Sequence, residues 1–231
     1  MEIKCYKWDI IDSNSWLVTE NNHGLLFDVI SNEDLFEAIN ELDSILVVLT
    51  HAHFDHIVGL NRLRKIRPDV KVYSTSLTSE FIGSEQKNIS SIADAFMAFY
   101  LKNDIETMDS ADYKKKLTAV DRFTCKPADE TFDNERSFEW AGHNVSLSQY
   151  SGHSPDSLIA TLDGILMFSG DTILGIPTAT RLPKGSTSKF WNADIPKLKT
   201  LVATIEKVYP GHGDPGNLGD MIELNERARN K

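Results

Sequence analysis

The run Thr50-His51-Ala52-His53-Phe54-Asp55-His56 constrains this chain more than any other feature. It sets three imidazoles and a carboxylate in one short stretch, directly after the apolar segment Ser44 to Leu49. Three later segments share its character: Ser151-Gly152-His153-Ser154-Pro155, Phe168-Ser169-Gly170-Asp171-Thr172 and Tyr209-Pro210-Gly211-His212-Gly213. Each turns at a Gly or Pro. Neutral imidazole and carboxylate suit zinc, iron or manganese, so the set points to a metalloenzyme. To use all four segments at once, the fold must bring distant strand ends to one place. Layered α/β sheets do this, because ligands collect beyond the carboxyl ends of their strands. Only His23 and His143 lie outside the set, one in a turn and one at a hairpin tip, and neither suggests function.

Strands are expected at Glu2 to Trp8, Ser15 to Thr19 and Gly24 to Ile30, with Asn21-Asn22-His23-Gly24 as a turn. Ser31-Asn32-Glu33-Asp34 offers a helix cap with acidic first-turn residues, and Leu35, Ile39 and Leu42 follow at helical spacing. Ile57, Leu60, Leu63 and Ile66 predict a helix that Pro68 ends, followed by a strand from Val70 to Ser74. Residues 76–130 have a different texture, with helical patterns and no strand signal before Ser137, and predict a helical insertion. Two hairpins follow, Phe138 to Trp140 with Val145 to Gln149, and Leu158 to Leu162 with Ile165 to Phe168, the second around Asp163-Gly164. A helix from about Asp194 to Ile205 leads to a short strand at Lys207 to Tyr209. Strands followed by a helix, twice, predict an αββα sandwich of two mixed sheets with helices outside.

The length of 231 residues and the 41% hydrophobic content suit one domain, residues 1–231, with a sizeable core. A formal net charge of −10 disfavours a nucleic-acid backbone as the main partner. No run approaches a membrane span, and Met1-Glu2-Ile3-Lys4 does not read as a signal peptide. Cys5 and Cys125 are then expected to be free thiols, with the cytoplasm as the default location. The expected partner is a small-molecule substrate, with no nucleic acid and no membrane; a homodimer stays open.

In an extended loop alternate side chains point the same way, so His51 and His53 can clasp one ion. Asp55 and His56 diverge and suit a second. His153 can complete the first group and His212 the second, and Asp171 has two oxygens with which to bridge both. Two ions about 3.5–4 Å apart can share a hydroxide and clamp the attacking and leaving oxygens. The expected cofactors are therefore two divalent metal ions, zinc first, with iron and manganese as alternatives. Asp55 has two compatible roles, metal ligand and acceptor of the water's proton.

These residues also carry a resemblance. The H-x-H-x-D-H run, the later Gly-His, the Ser-Gly-Asp-Thr and the Pro-Gly-His-Gly are similar, in order and setting, to the motifs of the metallo-β-lactamase fold superfamily. Asp28, in Leu26-Phe27-Asp28, matches the superfamily's first motif, where the aspartate supports the ligands from behind. Within the superfamily the chain most resembles the glyoxalase II-type hydrolases, which cleave the thioester of hydroxyacylglutathione. An aspartate at 171 is the bridging ligand of that group, and true β-lactamases lack it. Arg181-Leu182-Pro183-Lys184-Gly185 resembles a loop those proteins carry after that aspartate. His53 tells against the flavodiiron branch, which has a glutamate there. The resemblance implies a metal-bridging hydroxide that attacks a thioester or ester carbonyl.

Rival readings on the same ligands are a phosphodiesterase or nuclease, a lactonase, and a mononuclear iron persulfide dioxygenase using His51, His53 and His153. A metal-binding sensor without catalysis is the non-enzyme alternative. Candidate substrate contacts are Arg181, Lys184 and Tyr100, although long cations such as these and Lys189 are mostly solvated. Phe96, Phe99 and Tyr100 read as the insertion's own core ahead of a substrate platform, and Trp140 and Trp191 as packing residues. The insertion is expected to border the metal cleft and set substrate choice.

Overall fold

The computed structural model describes residues 1–8, 12–84, 124–176 and 187–229. Strands β1 (Glu2–Trp8), β2 (Ser13–Glu20), β3 (His23–Phe27), β4 (Ser44–Val48), β5 (Lys71–Thr75) and β6 (Glu130–Phe132) form one six-stranded sheet in that order. Strands β7 (Glu135–Trp140), β8 (His143–Gln149), β9 (Leu158–Leu162), β10 (Leu166–Gly170) and β11 (Lys207–Pro210) form a five-stranded sheet in the order β11-β10-β9-β8-β7. Both sheets are mixed. β1 to β3 are antiparallel and β3 to β6 parallel, while β7 to β10 meander and β11 runs parallel to β10.

Period-two alternation divides the apolar residues into three clusters and so defines four layers. Trp16, Val18, Leu25, Phe27, Val48, Leu158, Ala160, Leu162 and Phe168 meet between the sheets. Phe27 and Phe168 stack there with centroids 3.8 Å apart. The alternate residues Leu17, Leu26, Ile45 and Val47 face outward, onto Leu35, Phe36 and Ile39 of α1 (Glu33–Asn40) and Leu60 and Leu63 of α3 (Leu60–Ile66). On the other flank Ile159, Met167 and Val208 face Phe190, Ile195 and Leu198 of α5 (residues 187–199) and Leu218, Met221 and Ile222 of α6 (Leu218–Arg229). This is the expected αββα sandwich.

Several boundaries differ from expectation. The β2–β3 turn is only Asn21-Asn22, with φ of 48° and 65°, and Ala141-Gly142 and Asp163-Gly164 repeat this left-handed pair. Such two-residue turns match the twist of their strands, so His23 and His143 fall within strands. The helix expected from Ile57 onward is two, α2 (Phe54–Ile57) and α3, broken at Gly59. There the chain lies against the turn after β3. Gly59 N–H donates to the Val29 carbonyl at 2.8 Å, and a Cβ would stand 2.2 Å from the Ile30 oxygen.

In residues 76–130 the structure describes both ends. α4 (Ser76–Ile82) opens the segment, with Thr75 Oγ1 accepting from Thr78 N–H as its cap. β6 begins where the segment ends, as a parallel partner of β5, although the sequence shows no strand signal there before Ser137. Residues 85–123, with Phe96, Phe99 and Tyr100, lie outside the described residues. The helix expected from Asp194 starts earlier, and a π-helical turn at Phe190–Asp194 precedes Pro196. Pro196 has no N–H to continue the ladder, and Ile195 N–H reaches back to the Phe190 carbonyl instead. Among the described residues no helix is long and apolar enough to cross a membrane.

Candidate metal centre

The four motifs meet at one edge of the sandwich. His51 and His53 lie in the loop after β4, and Asp55 and His56 in α2. His153 follows β8, Asp171 follows β10 and His212 follows β11. The two parallel pairs β3–β4 and β10–β11 therefore deliver their carboxyl ends from opposite sheets to the same place. All seven side chains are buried, none more than 7% exposed.

Ligand atoms of His51, His53, His153 and Asp171 lie within 4.8 Å of one another, and so do those of Asp55, His56 and His212. Asp171 stands between the groups. Its Oδ2 is 3.5 Å from both His153 Nε2 and His212 Nε2, and its Oδ1 is 3.3 Å from His56 Nε2. Asp55 Oδ2 is 3.2 Å from His212 Nε2 and 3.4 Å from His56 Nε2.

Hydrogen bonds behind the rings assign their tautomers. The Asp12 carbonyl, 3.0 Å from His212 Nδ1, can only accept, so the proton sits on Nδ1 and the Nε2 lone pair faces Asp55 and Asp171. Asp28 Oδ2 likewise accepts from His56 Nδ1 at 2.8 Å. The same carboxylate accepts from Thr50 N–H and Thr50 Oγ1, both at 2.7 Å. With its own proton committed to Asp28, Thr50 Oγ1 must accept from His51 Nδ1 at 3.0 Å. One buried carboxylate thus aims two rings, with Nε2 turned into the cluster in each.

The atoms so aimed lack partners. His51 Nε2, His56 Nε2 and Asp171 Oδ1 are buried without a hydrogen bond. His153 Nε2 and His53 Nδ1 face each other at 3.0 Å, a separation that needs a proton or cation between them. Buried polar atoms are seldom left unsatisfied, and imidazole with carboxylate oxygen is a donor set for a divalent metal. These residues fit such an ion.

Protonation separates the two groups. Burial, with mutual repulsion among the rings, holds His51 well below its ordinary value. Burial pushes His153 down to about 3 against the pull of Asp171. Burial also works against protons on His56 and His212, but the carboxylates outweigh it. Asp55 and Asp171 hold His56 well above the usual range, and Asp171 and Asp55 raise His212 to about 9. For Asp55, burial opposes ionisation, yet His56 and His212 bring it down to about 2. The Asp55 side of the cluster thus demands positive charge, while the three-imidazole side is already neutral.

Sequence reasoning missed the polar head of β2. Ser13, Asn14 and Ser15 are all buried. Asn14 Nδ2 donates to the carbonyls of Pro210 (3.0 Å) and Gly213 (2.8 Å), bracketing His212. Ser13 Oγ donates to the Asp55 carbonyl and Ser15 Oγ to that of Asp28. The available signal was three small polar residues heading the apolar run Trp16-Leu17-Val18. Arg181 and Lys184 lie outside the described residues, and Lys189 is exposed. Trp140 and Trp191 pack into separate core clusters. His23 pairs with Ser44, and His143 with Asp163, away from the cluster.

A family model described as the metallo-beta-lactamase superfamily matches residues 8–212, and the chain belongs to that superfamily. A hydroxyacylglutathione hydrolase of Francisella tularensis subsp. novicida is 32% identical over 79 residues, 32% of this chain and 31% of that protein. The match thus spans about a third of the length of the curated relative. Among solved structures, the BLEG-1 B3 metallo-beta-lactamase aligns with a TM-score of 0.72 at 23% identity, over 97% of this chain and 98% of that one. ETHE1 from Myxococcus xanthus aligns with a TM-score of 0.62 at 17% identity, covering 100% and 86%. At such identities these likenesses establish the fold. The superfamily includes hydrolases, and the cluster supports divalent metal binding.

Proposed function

We propose that this chain is a hydrolase with two divalent metal ions, zinc first, acting on the thioester or ester carbonyl of a small molecule. The observation that carries the reading is Asp171 standing between two groups of buried donors, close enough to each to serve both. His51, His53 and His153 would hold one ion, Asp55, His56 and His212 the other, and Asp171 both. The local likeness to hydroxyacylglutathione hydrolase supports the choice of a thioester. When bound, such ions supply a water whose pKa falls toward ~7 and a Lewis acid for the carbonyl oxygen.

The chain's own residues supply the rest. Asp28 and Thr50 lock the rings of His51 and His56, and the Asp12 carbonyl locks His212, so the donors need no rearrangement during turnover. Asp55, ionised down to about pH 2, is too weak a base to keep a proton at neutrality. It orients the water's proton and counters the positive charge beside it. We read the chain as one domain, working without nucleic acid. Its two cysteines are free, which supports a reducing compartment and hence the cytoplasm.

The test is a panel of thioesters, esters, lactones and phosphodiesters offered to metal-loaded protein, with metal content measured beside each rate. Thioester or ester turnover that Asp171→Ala abolishes is the expected result. Phosphodiester turnover alone, or one ion per chain even at excess zinc, refutes the reading.

A further inference from the structure

Asp156 lies just beyond His153, in the turn Ser154-Pro155-Asp156-Ser157, and is 1% exposed. Buried carboxylates are costly unless a cation or several donors compensate them. Among the described residues no Lys or Arg pairs with Asp156. Its Oδ2 accepts from Ala52 N–H at 2.8 Å and Thr78 Oγ1 at 3.0 Å, and its Oδ1 from Ser154 Oγ at 2.7 Å. Its carbonyl accepts from Thr75 Oγ1 at 3.0 Å, and Thr78 Oγ1, whose single proton goes to the nearer Oδ2, lies 3.2 Å from that carbonyl.

The donors come from three separate places. Ala52 is the residue between His51 and His53, Ser154 adjoins His153, and Thr75 and Thr78 form the capped first turn of α4. One side chain therefore spans the two loops that carry the three-imidazole group. It joins them to the helix from which residues 85–123 depart. Three short charge-assisted hydrogen bonds hold more firmly than neutral ones, and their negative charge stays close to the rings. Asp28 does not duplicate this role, because its bonds go to Thr50 and His56.

We propose that Asp156 is a positioning residue for the His51–His53–His153 group, setting the spacing of its two loops and coupling ion affinity there to the first turn of α4. This rests on the two-ion hydrolase reading and extends it to a residue outside the donor set. Its consequence is directional: whatever displaces Thr75 or Thr78 should loosen the three-imidazole ion before the other.

The test is zinc affinity of the full chain, by competition with a chromophoric chelator, for wild type, Asp156→Asn and Thr78→Val. Cobalt(II) absorption reports coordination, and metal-free melting reports folding. Asn keeps the shape and one oxygen acceptor but loses the charge. We expect Asp156→Asn to weaken one of the two ions by about 10–100-fold, with an altered cobalt spectrum and the second ion much less affected. Thr78→Val, which leaves the carboxylate in place, should weaken the same ion by a smaller factor. Wild-type affinity for both ions in Asp156→Asn, with only a lower melting temperature, makes Asp156 a fold anchor and overturns the proposal. If Asp156→Asn does not fold, Thr78→Val decides, and unchanged affinity there overturns it. Wild-type protein that takes up no zinc removes the hydrolase reading and this proposal together. Wild type that binds two ions beside an unaffected Asp156→Asn removes this proposal alone.

Discussion

Gly211→Ala places a single methyl group where the candidate centre is tightest. The new Cβ would stand 2.2 Å from Asp171 Oδ1, 2.8 Å from His56 Cε1 and 3.0 Å from the Gly170 carbonyl carbon. The backbone cannot swing aside, because Gly211 N–H donates to Gly170 at 2.8 Å and its carbonyl accepts from Asn14 N–H at 2.7 Å. The carboxylate must therefore retreat by roughly 0.8 Å to reach even a tight contact, and His56 must tilt with it. Overpacking of this kind costs about 1–3 kcal/mol of stability, or a few degrees of melting temperature in a chain of this size. Function should suffer more, since misplacement by about 1 Å at a reacting centre costs on the order of 100-fold in rate. The assay is kcat/KM on the best substrate of the panel, with zinc content and melting measured on the same sample. Gly216→Ala is the control, because its Cβ would meet only the flexible end of Met221, at 3.2 Å. Gly211→Ala with wild-type turnover and two ions would refute the claim that Asp171 Oδ1 must occupy its present position.

Zinc uptake should depend on pH differently in the two groups. His212, raised to about 9 by Asp171 and Asp55 against its burial, must shed a proton to bind. His56, held well above its usual range by Asp55 and Asp171 against its burial, must shed one as well, so affinity on that side should rise at least roughly tenfold per unit from pH 7 to 9, with proton release seen by calorimetry in buffers of different ionisation enthalpy. By the same sign, His212 stabilises the metal-free chain fully below pH 6.5, a contribution lost as pH rises through about 9, which melting curves will register. Asp171→Ala should cost far more activity than stability, checked by turnover and melting of the purified variant. Asp55→Asn should lower turnover by at least ~100-fold even at saturating zinc, and an unchanged rate would remove Asp55 from the chemistry. Phe27→Ala, which opens a hole between the sheets against Phe168, should cost about 3–5 kcal/mol in denaturant titration.

The candidate donors that the structure gathers are conspicuous in the sequence, because imidazoles and carboxylates stand in dense motifs that turn at a Gly or Pro. The four-layer architecture was legible for another reason: strands followed by a helix occur twice, and apolar runs such as those of β2, β3 and β9 mark strands covered on both faces. What escaped was carried by single residues or distant pairings. β6 is three residues, two of them exposed, and its partner β5 lies on the far side of residues 85–123, so neither length nor alternation marks it. The break at Gly59 follows from a backbone contact with the turn after β3, which no local pattern encodes. Leu201 and Ile205 continue an apolar spacing past Lys199, yet hydrogen-bonded turns replace the helix there. Asp156 and Asn14 each resemble ordinary turn or strand-end polar residues. Their importance lies in which distant loops they touch.

The division of the candidate centre between two sheets has a consequence in time. His51, His53, Asp55 and His56 belong with the first sheet, and His153, Asp171 and His212 with the second. A ribosome adding about 5–20 residues per second needs roughly 5–20 s to pass from His56 to His153. Throughout that interval the nascent chain presents two of the three donors of each group and lacks the aspartate between them. An ion captured then gains only part of the eventual coordination, so tight loading must wait until the sheets have docked. From that point a bound ion would favour the docked form by mass action, and the supply of divalent metal would then help set how much chain survives to maturity.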